Sequence, residues 1–113
     1  MAVFSTNLIV YTHTDFEQTF LLEDNQSNSA KNLTGFTGTA RFKRQIQDLS
    51  DPTAFNLSFP NRELGKIRIG LTATQSANVD PGKYFYEILL NDGNDVIERV
   101  VEGTVIVKQP VTW

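Results

Sequence analysis

The chain has 113 residues, of which 40% are hydrophobic, and a formal net charge of −3. This length predicts one domain, residues 1–113, and the ordinary hydrophobic content excludes a disordered chain. The acidic balance gives no reason to expect nucleic-acid binding, and the absence of Cys excludes a disulfide framework, a thiolate metal site and a Cys nucleophile.

The first half of the chain predicts three strands, the first from a short apolar run and the other two because apolar residues recur at every second position. The predicted strands cover residues 7–11, 16–23 and 36–43. In the third, the small residues Gly38 and Ala40 lie between two Phe on one face. We expect a bulky side chain of an opposite sheet to cover them.

The second half begins with two more alternating strands, residues 54–59 and 64–71. In the latter we expect Ile67 and Ile69 to point inward and Gly70 outward. Thr72 and Gln75 have the spacing of a capping box, which predicts a short helix over residues 73–78. The helix is expected to cross one end of the fold, with Val79 anchoring it to the core.

The most regular unit is a hairpin near the C-terminus. After the turn Asp80-Pro81-Gly82, apolar residues recur at every second position from Tyr84 to Leu90. Residues 91–95 break this pattern with a turn around Asp92-Gly93, before a returning strand, residues 96–107. No single face of the returning strand is wholly apolar. A bulge near Glu102-Gly103 would switch its faces, and a strand covered on both sides is the alternative.

Together these elements predict an all-β fold, an antiparallel immunoglobulin-like two-sheet sandwich of about seven strands with one short helix. A small closed barrel is the second choice. No apolar run approaches the roughly 20 residues of a membrane-spanning helix. The N-terminus lacks the features of a signal peptide, so we expect a protein that folds in a cytoplasm, without a membrane partner.

The sequence offers no catalytic or cofactor signature. His13 is the only His, its nearest acidic neighbour is Asp15, and no Gly-x-Ser-x-Gly motif occurs. The loop with Asp92, Asn94 and Asp95 does not have the spacing of a calcium loop, so turn residues explain it without a metal. We expect no enzyme activity, no cofactor and no metal.

Two features suggest protein contacts. Phe85 and Leu89 fall on the polar side of their strand, where large apolar side chains mark either a partner surface or a face covered by the chain itself. The segment 109–113 contains Pro110 and Val111 and ends in Trp113, the only Trp. Because Trp is a frequent interface anchor, we hypothesise that this tail docks on a neighbouring subunit or virion component.

Three motifs carry a resemblance to a known family. They are LTATQ (residues 71–75), PGKYFY (residues 81–86) and RVVEGTV (residues 99–105). In this order, after DFEQTFLLED and NLTGFTGTARFKR, they resemble small virion proteins of tailed phages, common in cyanophages. A similar sandwich pattern opens some phage baseplate proteins. The Trp113 end departs from the short polar end typical of the family.

The resemblance implies a structural protein of a tailed-phage virion, assembled in the host cytoplasm and present in several copies. Such a protein binds itself or other virion proteins as a capsid decoration or cement, a neck component, or a baseplate or fibre adaptor. The resemblance implies no active site. The alternative is a carbohydrate- or surface-binding sandwich, which would need an exposed aromatic platform with polar neighbours.

Overall fold

The computed structural model describes residues 4–24, 29–44 and 53–111. Its strands are β1 (Phe4–Ser5), β2 (Leu8–Tyr11), β3 (Phe16–Leu21), β4 (Glu23–Asp24), β5 (Ser29–Ala30), β6 (Thr37–Lys43), β7 (Thr53–Ala54), β8 (Asn56–Asn61), β9 (Lys66–Leu71), β10 (Gly82–Asn91) and β11 (Ile97–Lys108). One helix, α1 (Ala73–Ala77), follows β9. Seven of the described strands have four residues or more, as predicted.

The strands form two main sheets packed face to face, so the predicted all-β sandwich is confirmed. The larger sheet has the order β11-β10-β6-β7, with β1 and β2 along the free side of β11, and the smaller sheet has the order β3-β9-β8. These two strand orders, in sheets that face each other, are those of immunoglobulin-like domains. The sheets are antiparallel, except that β1 and β2 run parallel to β11.

The core lies between the sheets and consists of aliphatic and aromatic side chains. Its fully buried members include Phe42, Ile67, Ile69, Ile88, Leu90, Val100, Val101 and Val105. Gly38 shows how closely they pack: a Cβ there would lie 2.9 Å from Leu90 Cδ2 and 3.3 Å from Leu57 Cδ1. Because Leu57 belongs to the smaller sheet, the expected cover over this small residue is confirmed.

The predicted capping box starts α1. Thr72 Oγ1 accepts the Gln75 amide at 3.2 Å, and Gln75 Oε1 accepts the Thr72 amide at 2.8 Å. The helix leads through the buried Val79 to a corner at the start of β10. There the Tyr84 hydroxyl donates to the Asp80 carbonyl at 2.7 Å, which is the tyrosine corner seen in immunoglobulin-type sandwiches.

Removing the corner hydroxyl with Tyr84→Phe is expected to lower the free energy of unfolding by about 1 kcal/mol, since one hydrogen bond is lost while the ring remains. Tyr11→Phe is the matched control, because the Tyr11 ring is 45% exposed. Urea unfolding of both variants measures the difference. Equal stabilities would show that the corner bond contributes nothing.

The face switch in β11 lies elsewhere than predicted. Ile88 pairs with Val101 and Leu89 pairs with Arg99, so Val100 is the extra residue of a bulge. Val100 and Val101 are consecutive and both fully buried, because the bulge turns them towards the same side. The prediction of a bulge near Glu102-Gly103 was therefore wrong in position.

Gly103 has a different role, which is to let another backbone approach. A Cβ at Gly103 would lie 1.8 Å from the Thr6 carbonyl oxygen, in the segment between β1 and β2. That segment follows β11 closely: the Thr6 amide donates to the Glu102 carbonyl at 3.1 Å, and Asn7 Oδ1 accepts the Thr104 amide at 3.2 Å. No residue with a side chain fits at this position unless the Thr6 segment moves.

Gly70 was expected to point outward, and it pairs with the exposed residues Glu17 and Asn56. It is nevertheless buried, and a Cβ there would lie 2.6 Å from the Phe16 carbonyl oxygen. The neighbouring strand β3 covers this position, which strand alternation alone did not indicate.

Candidate functional site

The candidate site is the surface of the larger sheet that points away from the smaller sheet. We call it the outer face, and it consists of Thr39, Arg41, Lys43, Phe85, Glu87, Leu89, Arg99, Glu102 and Thr104. Along β6 and β10 these side chains alternate with core residues, and in β11 the bulge at Val100 brings Arg99 to the same side as Glu102 and Thr104. The regular pairing of the three strands then arranges them in rows across the sheet.

The middle row is charged. Glu87 on β10 pairs with Arg41 on β6 and with Glu102 on β11. Arg99 adds a second cation: its Nη1 lies 3.2 Å from Glu102 Oε2 and 3.8 Å from Glu87 Oε2. These side chains are roughly half exposed, so their ion pairs are screened by water and contribute little to stability.

The predicted apolar residues lie in the rows on either side. Phe85 pairs with Lys43 and Thr104, while Leu89 pairs with Thr39 and Arg99. Both Phe85 and Leu89 are half-buried. Lys83 Nζ lies 5.4 Å from the centre of the Phe85 ring, within the range of a cation–π contact. The structure thus brings Phe85 and Leu89 together on one open surface.

A shallow depression of about 670 Å³ lies over this surface. Phe85 and Leu89 contribute apolar area, and Arg41, Glu87 and Glu102 contribute charge. Such a mixture suits a protein partner, because protein interfaces combine apolar contact with a polar rim.

Pro110 and Val111, the tail residues that the structure describes, are not among the residues that line this depression. Pro110 is half-buried and Val111 is fully exposed, and both follow the end of β11 at Lys108. Phe85 lies opposite Thr104, four residues before that end. Trp113 lies outside the described residues, so the docking hypothesis for the tail stays a prediction.

The residues that the sequence analysis considered for catalysis or metal binding lie in turns or bind backbone amides. His13 is exposed, with a positive φ of 64° in the turn after β2, and the Asp15 carboxylate accepts the Ala73 amide at 2.7 Å. Asp92 Oδ1 accepts the Asn94 amide at 2.7 Å, within its own turn. Within residues 4–24, 29–44 and 53–111, no group of three or more metal-ligating side chains occurs.

The Tyr86 side chain is buried in the core. Burial raises its pKa well above the ordinary value for tyrosine, because the interior disfavours the charged form. The neutral hydroxyl donates to the Thr6 carbonyl at 2.8 Å, which ties the segment between β1 and β2 to β10. Its role is therefore structural.

Sequence reasoning missed the charged members of the outer face. Arg41, Glu87 and Glu102 were not singled out, because nothing along a single strand indicates that they lie side by side. The signal lies in the register: only the pairing of β6 and β11 with β10 shows that Arg41, Glu87 and Glu102 share a row.

A second exposed apolar group lies on the edge strand β2. Ile9 is 51% exposed and Tyr11 is 45% exposed, and Ile9 pairs with the half-buried Ile106 of β11. Edge strands of this kind are available for further contacts. In the described ranges, the helix α1 has five residues, and no helix has the length and apolar character needed to cross a membrane.

Comparison with known proteins found similarity among solved structures. No protein-family model and no curated protein matches the chain. Among solved structures, an internalin-like protein of Listeria monocytogenes is similar, with 10% sequence identity and a TM-score of 0.46. The match covers 96% of this chain but 28% of that structure, so the chain spans about a quarter of its length.

Proposed function

We propose that this chain is a non-enzymatic structural protein of a tailed-phage virion that binds copies of itself or other virion proteins through the outer face. The observation that carries the binding role is the row of half-exposed charges between Phe85 and Leu89 on a rigid sheet. A surface that combines half-buried apolar side chains with charged ones offers both kinds of contact that protein interfaces use.

The virion part of the proposal is supported by the motifs of the resemblance. Residues 71–75 end β9 and cap α1, residues 81–86 form the tyrosine corner, and residues 99–105 form the middle of β11. These segments build the framework that presents the outer face. A sandwich without disulfides that folds in the host cytoplasm and needs no cofactor suits assembly into a particle.

A carbohydrate- or surface-binding module is the alternative. Stacking against sugar rings needs exposed aromatic faces, and Phe85 is the aromatic side chain that the depression offers on its outer side. Lys83 already lies over that ring. The outer face therefore favours a protein partner, and glycan binding by the isolated chain would favour the alternative.

The proposal is tested by counting the chain in purified particles. We expect quantitative mass spectrometry of separated heads and tails, with the major capsid protein as the internal standard, to find it in one fraction. Hundreds of copies with the heads indicate a decoration or cement protein. A few to some tens with the tails indicate a neck, baseplate or fibre role. Absence from both would contradict the virion proposal.

The role of the outer face is tested in the same particles with Phe85→Glu. A charge in the middle of a contact surface is expected to abolish incorporation, because it cannot be desolvated without a partner. Leu64→Glu is the matched control, since Leu64 is 50% exposed in a turn away from this sheet. Normal incorporation of the Phe85 variant would show that the chain docks elsewhere.

A further inference from the structure

We infer that the outer face binds a second copy of this chain, in a face-to-face dimer whose twofold axis runs parallel to β10. The inference rests on the proposed function only in treating the chain as a binding module. It names the partner and its orientation, and it is tested on the purified chain without particles.

The first argument is the placement of charge about β10. Arg41 and Glu102 both lie level with Glu87, one strand to either side. Neighbouring strands are about 5 Å apart, so the two backbones lie at roughly equal distances from β10. A twofold axis along β10 exchanges the two sides. It sets Arg41 of each copy over Glu102 of the other, which makes two intermolecular ion pairs.

The same charges disfavour the other face-to-face arrangement. A twofold axis across the strands, along the row of Glu87, stacks that row on itself without exchanging its ends. Arg41 then meets Arg41, and Glu102 meets Glu102, so like charges face each other in both places. Because like-charge contacts strongly oppose association, the pattern selects the axis parallel to β10.

The centre of the face is electrically balanced, which permits stacking. Arg41 and Arg99 carry two positive charges, and Glu87 and Glu102 carry two negative charges. Glu87 falls near the axis and meets Glu87 of the other copy, as it also would about an axis across the strands, so this contact does not distinguish the two arrangements. Arg99 Nη1 lies 3.8 Å from the Glu87 carboxylate within the same copy and offsets its charge. Two copies therefore bring no net charge together at the centre of the face.

The apolar rows complete a self-complementary surface. The same axis sets Phe85 against Phe85 and Leu89 against Leu89, as a twofold interface requires. The side chains of Glu87 and Glu102 in the middle row, and of Arg99 beside it, are 47%, 45% and 52% exposed, so they remain available to a partner. The depression leaves room for long side chains such as Arg41 of the second copy.

The test uses two single charge reversals, Arg41→Glu and Glu102→Arg, studied by sedimentation equilibrium alone and mixed. We expect the unaltered chain to dimerise and each variant alone to associate at least about tenfold more weakly, because each variant sets like charges against each other twice. An equimolar mixture is expected to regain the affinity of the unaltered chain. In the mixed dimer, Glu at position 41 meets Arg at position 102, and the native pair forms on the other side.

The mixture also controls for folding, since two misfolded chains would not restore association. Arg68→Glu is the matched control: Arg68 is exposed on β9 in the smaller sheet, and its reversal is expected to leave dimerisation unchanged. Low salt strengthens the contrast and high salt reduces it, because exposed charges are screened.

Three results would overturn the inference: a monomeric unaltered chain, association unaffected by either reversal, or a mixture that stays as weak as its components. A monomer that is nonetheless present in particles, and is lost from them with Phe85→Glu, would assign the face to a different virion protein. A dimer with the expected charge response that is absent from particles would contradict the virion proposal and leave the dimer standing.

Discussion

Replacing Phe42 with alanine is expected to lower the free energy of unfolding by about 3–5 kcal/mol. The ring is 1% exposed and lies where both sheets and the corner meet. Its centre is 4.7 Å from that of Phe55 and 5.3 Å, edge to face, from that of Tyr84. Alanine removes these contacts and leaves a cavity that the surrounding strands cannot close.

A loss of this size is a large share of the roughly 5–15 kcal/mol that stabilises a domain. Urea unfolding measures it, with Phe42→Leu as the conservative variant and Leu21→Ala as the surface control. Leu21 is 57% exposed on β3, so its truncation is expected to change stability by no more than about 0.5 kcal/mol. Similar losses for Phe42→Ala and Leu21→Ala would contradict the packing that we describe.

Gly103→Ala is the second large effect, with an expected loss of about 2–4 kcal/mol from steric conflict and from two weakened hydrogen bonds. The new methyl group would lie 1.8 Å from the Thr6 carbonyl oxygen, so the segment between β1 and β2 must move. That carbonyl accepts the Tyr86 hydroxyl, and the Thr6 amide donates to Glu102. Both contacts weaken when the segment is displaced.

The control is Gly35→Ala, which separates the steric conflict from the general cost of replacing glycine. Gly35 has a φ of +84°, and no atom lies within 4 Å of a Cβ built there. Its replacement is expected to cost about 1–2 kcal/mol from backbone strain alone. Amide hydrogen exchange at β2 should increase in the Gly103 variant and not in the control. Equal exchange and equal stability would show that the close approach is unimportant.

Local pattern was sufficient for the strands and for the helix start. Phe85 and Leu89 were placed on the outward side of β10 because successive side chains of a strand point to opposite faces. Thr72 and Gln75 predicted the start of α1 because a capping box needs only residues three apart. Gly38 was predicted to lie under a large side chain because a small residue between two large ones leaves space to be filled.

Long-range register decided the rest. The bulge at Val100, the contact of Gly103 with Thr6, and the burial of Gly70 by Phe16 each depend on a neighbouring strand distant in sequence. No alternation within a single strand contains that information, which is why the bulge was predicted two or three residues too late.

In the candidate site, too, part of the arrangement follows from the sequence and part only from the tertiary structure. The sequence by itself determined an all-β sandwich and the outward position of its apolar residues, because both follow from a period of two along one strand. Only the tertiary structure decided that Arg41, Glu87 and Glu102 form one row, because a row is set by hydrogen-bonded register between strands. A shift of one residue in either pairing would turn its members towards the core.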